Sequence, residues 1–149
     1  MANPPRKGKF KPKHPEKYRG DFRNIIYRSG WERDVMNWLD QRTDVKWWQS
    51  EEKCFWYLDE MKKQNRRYFP DFIVCFQRDY GEEIRVIEVK PKKYLAPPKT
   101  PKRRTKSYYY HMEQYILNQC KWKAMRRICE DRGWSFSILT EEDVKGWNK

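Results

Sequence analysis

Asp71, Glu88 and Lys90 are the residues of this chain whose types and spacing could do chemistry. Each lies in a run that reads as a β-strand. In residues 67–76, Tyr68, Phe69, Phe72, Ile73, Val74 and Phe76 are aromatic or β-branched, and so are Val86, Ile87 and Val89 in residues 84–90. The polar stretch 77–83, with one glycine, suits a hairpin loop between them. Glu88 and Lys90 stand two apart, so the period of a strand puts them on one face. Two carboxylates on neighbouring strands suit Mg²⁺, a hard ion that prefers oxygen ligands. Such an ion lowers the pKa of water and polarises a phosphate. An ammonium beside it can orient a nucleophile or offset charge growing on phosphoryl oxygens. The plainer reading is a turn acid after Pro70 and an exposed Glu88–Lys90 ion pair of little energetic worth.

The rest of the chain must position these groups. Its 149 residues suggest one domain with a real core. Net charge is +13 and 17% of residues are aromatic, a combination that fits a polyanionic partner. Solubility, or attraction to an acidic membrane surface, would use the same charge. No apolar run approaches the ~20 residues of a membrane helix, and the N-terminus carries no apolar signal region. Cys54, Cys75, Cys120 and Cys129 lack metal-ligand spacing. They read as reduced, small apolar residues of an intracellular protein. His14 and His111 are too far apart to suggest a histidine metal site.

Residues 1–20 form a basic, proline-rich arm expected to be disordered, lying along DNA, on a protein partner, or free as a solubilising tail. The domain proper is expected over 21–149. Ser29 predicts a helix N-cap and Glu32 completes a capping box, with the helix running to about Asp40. Trp31, Val35, Trp38 and Leu39 form its apolar stripe. Glu32 at the stripe's margin is either a cap alone or a third carboxylate at the edge of the core.

Val45–Gln49 and Lys53–Leu58 read as strands, and Asp59–Arg66 as a charged turn or loop. After the motif hairpin, the segment Pro91–Tyr110 is stopped by Pro91, Pro97, Pro98 and Pro101. It carries Lys92, Lys93, Lys99, Lys102, Arg103, Arg104 and Lys106, and suits either a phosphodiester backbone or plain solvation. A helix follows over about Tyr110–Arg132, with Gly133 as its C-terminal stop. Its core stripe is Leu117, Cys120, Ala124 and Ile128. Lys121 lies within that stripe, placed either to snorkel out or to reach a site. Tyr115, Gln119, Trp122 and Arg126 form an opposite, aromatic and polar face. Trp134–Leu139 alternates as a last strand, and Thr140 caps a short helix through Trp147. The result is an α/β (α+β) domain of order αββββαβ with a short C-terminal helix.

Pro70-Asp71, a gap of seventeen positions, and Glu88-Val89-Lys90 resemble the motif of the PD-(D/E)xK nuclease superfamily. That resemblance implies a restriction-endonuclease-like core, a mixed central β-sheet flanked by helices, with the acidic motif on the second and third core strands. Residues 27–32 (Tyr-Arg-Ser-Gly-Trp-Glu) are similar to the first-helix motif of the TnsA-like transposon endonucleases and of phage junction-resolving endonucleases. This similarity implies that Glu32 joins the metal site while capping its helix. A narrower resemblance runs over nearly the whole chain: Arg28–Glu32, Trp47-Trp48, Ser50–Glu52, Tyr68–Phe72, Glu88–Lys92, Pro97–Lys99 and Asn118–Trp122 look like the head completion nucleases of large contractile-tailed bacteriophages.

These resemblances imply a Mg²⁺- (or Mn²⁺-) dependent endonuclease acting on double-stranded DNA. Asp71, Glu88, the Val89 carbonyl and Glu32 would hold the metal, and Lys90 would position or activate water. The basic loop with Gln119 and Lys121 would hold DNA. The protein would act on packaged DNA ends at the portal during head completion. It would be found in the host cytoplasm during assembly and in the virion head or neck, with portal or other head proteins as partners and no membrane. Two other readings are a non-catalytic DNA-binding head protein and a junction-resolving or transposase-type endonuclease. Intact Asp71, Glu88 and Lys90 argue against the first, and the lack of an evident dimerisation segment argues against junction resolution.

Overall fold

The two motif runs pair with each other and occupy the middle of the central sheet. The computed structural model describes residues 7–145. In chain order these form β1 (Gly8–Phe10), β2 (Ile25–Tyr27), α1 (Gly30–Gln41), β3 (Val45–Gln49), β4 (Phe55–Asp59) and β5 (Gln64–Tyr68). They continue with β6 (Phe72–Arg78), β7 (Gly81–Val89), α2 (Lys106–Arg132), β8 (Ser135–Leu139) and α3 (Glu141–Val144). The central sheet has the order β3-β6-β7-β8. Its first three strands are antiparallel, and β8 joins β7 in parallel. A parallel pair needs a crossover rather than a tight turn, and α2 supplies it. This is the expected mixed sheet flanked by helices, with the motif on the second and third of its strands in chain order.

The sheet is covered on both faces, which is why β6 is buried continuously from Phe72 to Phe76. On one face Phe72, Val74, Phe76 and Ile87 pack with Val35, Met36 and Leu39 of α1, with Trp48, and with Val144 of α3. On the other, Ile73 and Val86 pack with Cys120, Met125 and Cys129 of α2 and with Phe55, Tyr57 and Tyr68. All four cysteines are free.

The structure differs from the sequence reading in several places. The charged segment Asp59–Arg66 holds the start of β5, which pairs with β4 in a separate ribbon. The buried Asp59 carboxylate organises the turn, accepting from the Met61 and Lys62 N–H groups and from Arg66 Nε at 2.8 Å. Pro70 ends that ribbon, so residues 67–76 are two strands rather than one. The motif hairpin is tighter than expected, because β6 and β7 extend to leave only Asp79 and Tyr80 between them. Helix α2 starts at Lys106, because the Thr105 hydroxyl accepts from Tyr108 N–H at 3.2 Å. Gly133 ends it in the left-handed region, φ +71°, as expected. Thr140 caps α3; the expected end of that helix at Trp147 lies outside the described residues.

The arm, expected to be disordered over 1–20, is built into the fold from Lys7 on, and 1–6 lie outside the described residues. Its two aromatics decide this. Phe10 and Tyr18 are both buried and meet Trp48 edge-on. Asp40 accepts from Lys13 N–H (2.8 Å) and His14 N–H (3.1 Å). Lys17 Nζ donates to the carbonyls of Leu39, Asp40 and Arg42, at 2.9, 3.0 and 2.6 Å. These carbonyls end α1, where the helix dipole favours a cation. Lys17→Met is expected to cost about 2 kcal/mol, a fall in Tm of ~4–8 °C. Thermal melts of the two proteins measure it, and an unchanged Tm would show that the arm does not brace α1.

Candidate active site

The antiparallel register of β6 and β7 sets the site. Phe72 is opposite Ile87, so the next pair outward is Asp71 and Glu88. Opposed residues of antiparallel strands share a face. Period-two alternation then puts Asp71, Glu88 and Lys90 together on the α2 side of the sheet. Asp71 N–H donates to Glu88 Oε1 at 3.2 Å, and Val89 N–H donates to Asp71 Oδ2 at 2.8 Å. Asp71 stands immediately before β6, after Pro70, which has no N–H to continue a ladder from the ribbon.

Glu32 arrives from the first turn of α1. The Ser29 hydroxyl accepts from Glu32 N–H at 3.2 Å, half of the expected capping box. The other half is not formed. Glu32 Oε2 accepts instead from the N–H of Arg28, one residue before the cap, at 2.6 Å. So held, the carboxylate lies within electrostatic reach of Asp71. Arg28, Glu32, Asp71, Glu88, Val89 and Lys90 line one cavity of about 480 Å³. The four proposed catalytic residues therefore meet in one place.

Sequence reasoning missed other members of this cavity. Tyr68 hydroxyl donates a short hydrogen bond to Glu88 Oε1, and its register with Phe55 in the β4–β5 ribbon aims it there. Arg28 pairs with Glu51 at 3.2 Å at the mouth. Glu51 follows β3 in a turn with φ +51°. Its motif neighbours gave a signal, but nothing local to it predicted a place in the site. From α2 come Asn118 and Trp122, together with Lys121, which the sequence placed either in solvent or in a site. Lys121 therefore faces the site rather than snorkelling to solvent. Trp122 is buried rather than part of a polar outer face. Gln119 does not line the cavity.

Electrostatically the site has too much negative charge for its burial. Burial and the nearby Glu88 charge raise Asp71 well above the usual carboxylate range. Burial also raises Glu88, against hydrogen bonds from Tyr68 and Asp71 N–H. Glu32 is pushed up to about 7 by burial and then by Asp71, against the Arg28 N–H. Burial lowers Lys121, and the Lys90 charge lowers it further. Like charges brought out of water disfavour ionisation. Among the described residues no three His, Cys, Asp or Glu side chains already form an array for a metal. The donor set still fits one. The N–H and phenol donors fall on one oxygen of each carboxylate, Asp71 Oδ2, Glu88 Oε1 and Glu32 Oε2. Hard oxygen donors in excess of positive charge are what a divalent ion takes.

The proposed DNA-binding residues divide. Lys92 is drawn to the C-terminal helix: its N–H donates to Glu141 (2.9 Å) and its Nζ to Glu142 (3.1 Å). Lys93, Lys99, Lys102, Arg103, Arg104 and Lys106 are exposed. Among the described residues none of these six has an ion-pair partner at 4 Å or closer.

Residues 42–141 match the family described as TnsA-like endonuclease N terminal. The matched stretch holds Asp71, Glu88 and Lys90 and begins after Glu32. The head completion nuclease of Enterobacteria phage T4 is 37% identical over 142 residues, covering 93% of each chain. No solved structure matches. No helix among the described residues is long and apolar enough to cross a membrane. A matched stretch that carries the paired carboxylates and the lysine leads to one conclusion: the chain belongs to the TnsA-like endonuclease family, and it is similar along nearly its whole length to a phage head completion nuclease.

Proposed function

We propose that this protein is a divalent-metal-dependent endonuclease that hydrolyses phosphodiester bonds of double-stranded DNA, acting on packaged DNA ends in phage head completion. The observation that carries this reading is the convergence in one cavity of Glu32 from the first turn of α1 with Asp71, Glu88 and Lys90 from the paired start of β6 and end of β7. Asp71, Glu88 and Glu32, with the Val89 carbonyl, would hold Mg²⁺ or Mn²⁺. Such an ion, when bound, polarises a phosphate and makes water a stronger nucleophile at neutral pH. Lys90 positions the attacking water and offsets charge that grows on the phosphoryl oxygens. Tyr68 holds Glu88 in its rotamer, and the Arg28 N–H does the same for Glu32. Lys121 adds a second positive charge beside Lys90. The exposed cations from Lys93 to Lys106 track the DNA backbone, where each neutralised phosphate adds affinity by counterion release. The protein works in the host cytoplasm during assembly and stays with the head or neck, meeting portal or other head proteins.

The test is cleavage of linear duplex DNA by the pure protein. Cutting with Mg²⁺ or Mn²⁺ that stops on addition of EDTA is the expected result. Cleavage that persists in EDTA would remove the metal from the mechanism. Tight DNA binding with no cleavage in either ion would favour a structural head protein.

A further inference from the structure

A second cavity, of about 420 Å³, adjoins the catalytic one. It lies between the Pro91–Thr105 segment and the first half of α2, and Lys90 and Asn118 line both cavities. Its walls are aromatic. Tyr94 and His111 lie near-parallel, 23° apart with ring centroids at 6.4 Å, and Tyr110 meets His111 edge-on at 5.4 Å. Tyr115 completes the wall. These rings do not serve the core: Tyr94 is 39% and Tyr110 59% exposed. Lys93 sits over Tyr94, at 5.0 Å from the ring centre.

We infer that this cavity is a stacking site for an unpaired nucleobase at a DNA end, next to the phosphate presented to Lys90. The inference rests on the nuclease reading above and adds the form of DNA the site takes. Flat, exposed aromatic faces beside lysines match a ligand that is both planar and anionic, and a nucleotide is both. The cavity volume falls within the ~300–1,000 Å³ of small-molecule sites. A base inside a duplex has both faces covered by its neighbours, so it has none to offer Tyr94 and His111. A base in a single-stranded extension or frayed end has free faces. Lys93 and Lys90 then meet the phosphates on either side of it. The shared wall of Lys90 and Asn118 makes the occupied cavity continuous with the catalytic one, so an unpaired end seated here sets which phosphate reaches Lys90.

Binding in EDTA separates this inference from cleavage. Affinities are measured by fluorescence anisotropy for a blunt duplex and for the same duplex with a short single-stranded extension carrying 2-aminopurine. Wild type is expected to bind the extended duplex ~5- to 150-fold more tightly, the range of one base–aromatic stack, with quenching of 2-aminopurine. Tyr94→Ala and His111→Ala should bring the ratio of the two affinities toward one and remove the quenching, whereas Tyr94→Phe keeps both. Equal wild-type affinities, or a ratio that survives both alanine variants, overturn the inference. The two readings fail separately. A protein that cuts DNA without this preference loses only the stacking site, and one that shows the preference without cutting in Mg²⁺ or Mn²⁺ keeps it.

Discussion

Lys90→Ala is expected to lower DNA cleavage by ~10²–10⁴-fold, the range for removing a group that handles protons or orients water in a transition state. Lys90 lines both cavities and is the last residue of the motif. Its side chain is half-buried beside Glu88, so truncation removes a charge from the site without opening the core. Asp71→Asn should cost ~10²–10³-fold. It keeps an oxygen for the Val89 N–H but lacks the charge that an ion would use. Groups that act as one unit do not add, so the double variant should be little worse than Lys90→Ala alone. Single-turnover cleavage with matched DNA binding measures both effects. A Lys90→Ala protein within about tenfold of wild type would rule out a role for this lysine in the reaction.

Glu32→Gln separates a helix cap from a site carboxylate. Gln keeps the shape and an oxygen that can accept from Arg28 N–H, so the start of α1 should survive. If Glu32 belongs to the site, cleavage falls by orders of magnitude while the fold holds. An enzyme as active as wild type would remove Glu32 from the site and leave Asp71, Glu88 and Lys90 as its core. The metal-free protein gives a second readout. A carboxyl near 4.5 when unfolded and about 7 when folded favours the native state in its protonated form. That stability is complete below pH 4.5 and is lost as pH rises through 7, by on the order of 3 kcal/mol. In EDTA, Glu32→Gln should therefore melt above wild type at pH 8 and close to it at pH 4.5. A gap that stays the same across that range would show that the Glu32 charge is not strained in the folded protein.

The meeting of Asp71, Glu88 and Lys90 in one cavity was legible in the sequence because its geometry is local. Asp71, Glu88 and Lys90 meet through one hairpin and the two-residue period of a strand, and both follow from adjacent chain. The Ser29 cap and the Gly133 stop are equally local, since each satisfies backbone groups within one helical turn. Tertiary structure decided the rest. Residues 64–66 are polar and read as a loop, yet they open a strand because β4 offers a ladder and Asp59 ties the turn. The basic arm is expected to be disordered because it has almost nothing to bury, but Phe10 and Tyr18 have a partner in Trp48, which the fold places there. Trp122 lay on what a single-stripe reading makes an outer face. Helix α2 packs on the sheet and also walls the cavity of Asp71 and Glu88, so it buries more than one stripe. Tyr68 of the ribbon, Arg28 just before the cap of α1 and Lys121 of α2 meet around the carboxylates. No sequence spacing encodes such a meeting, because it depends on how the ribbon, α1 and α2 pack around one end of the sheet.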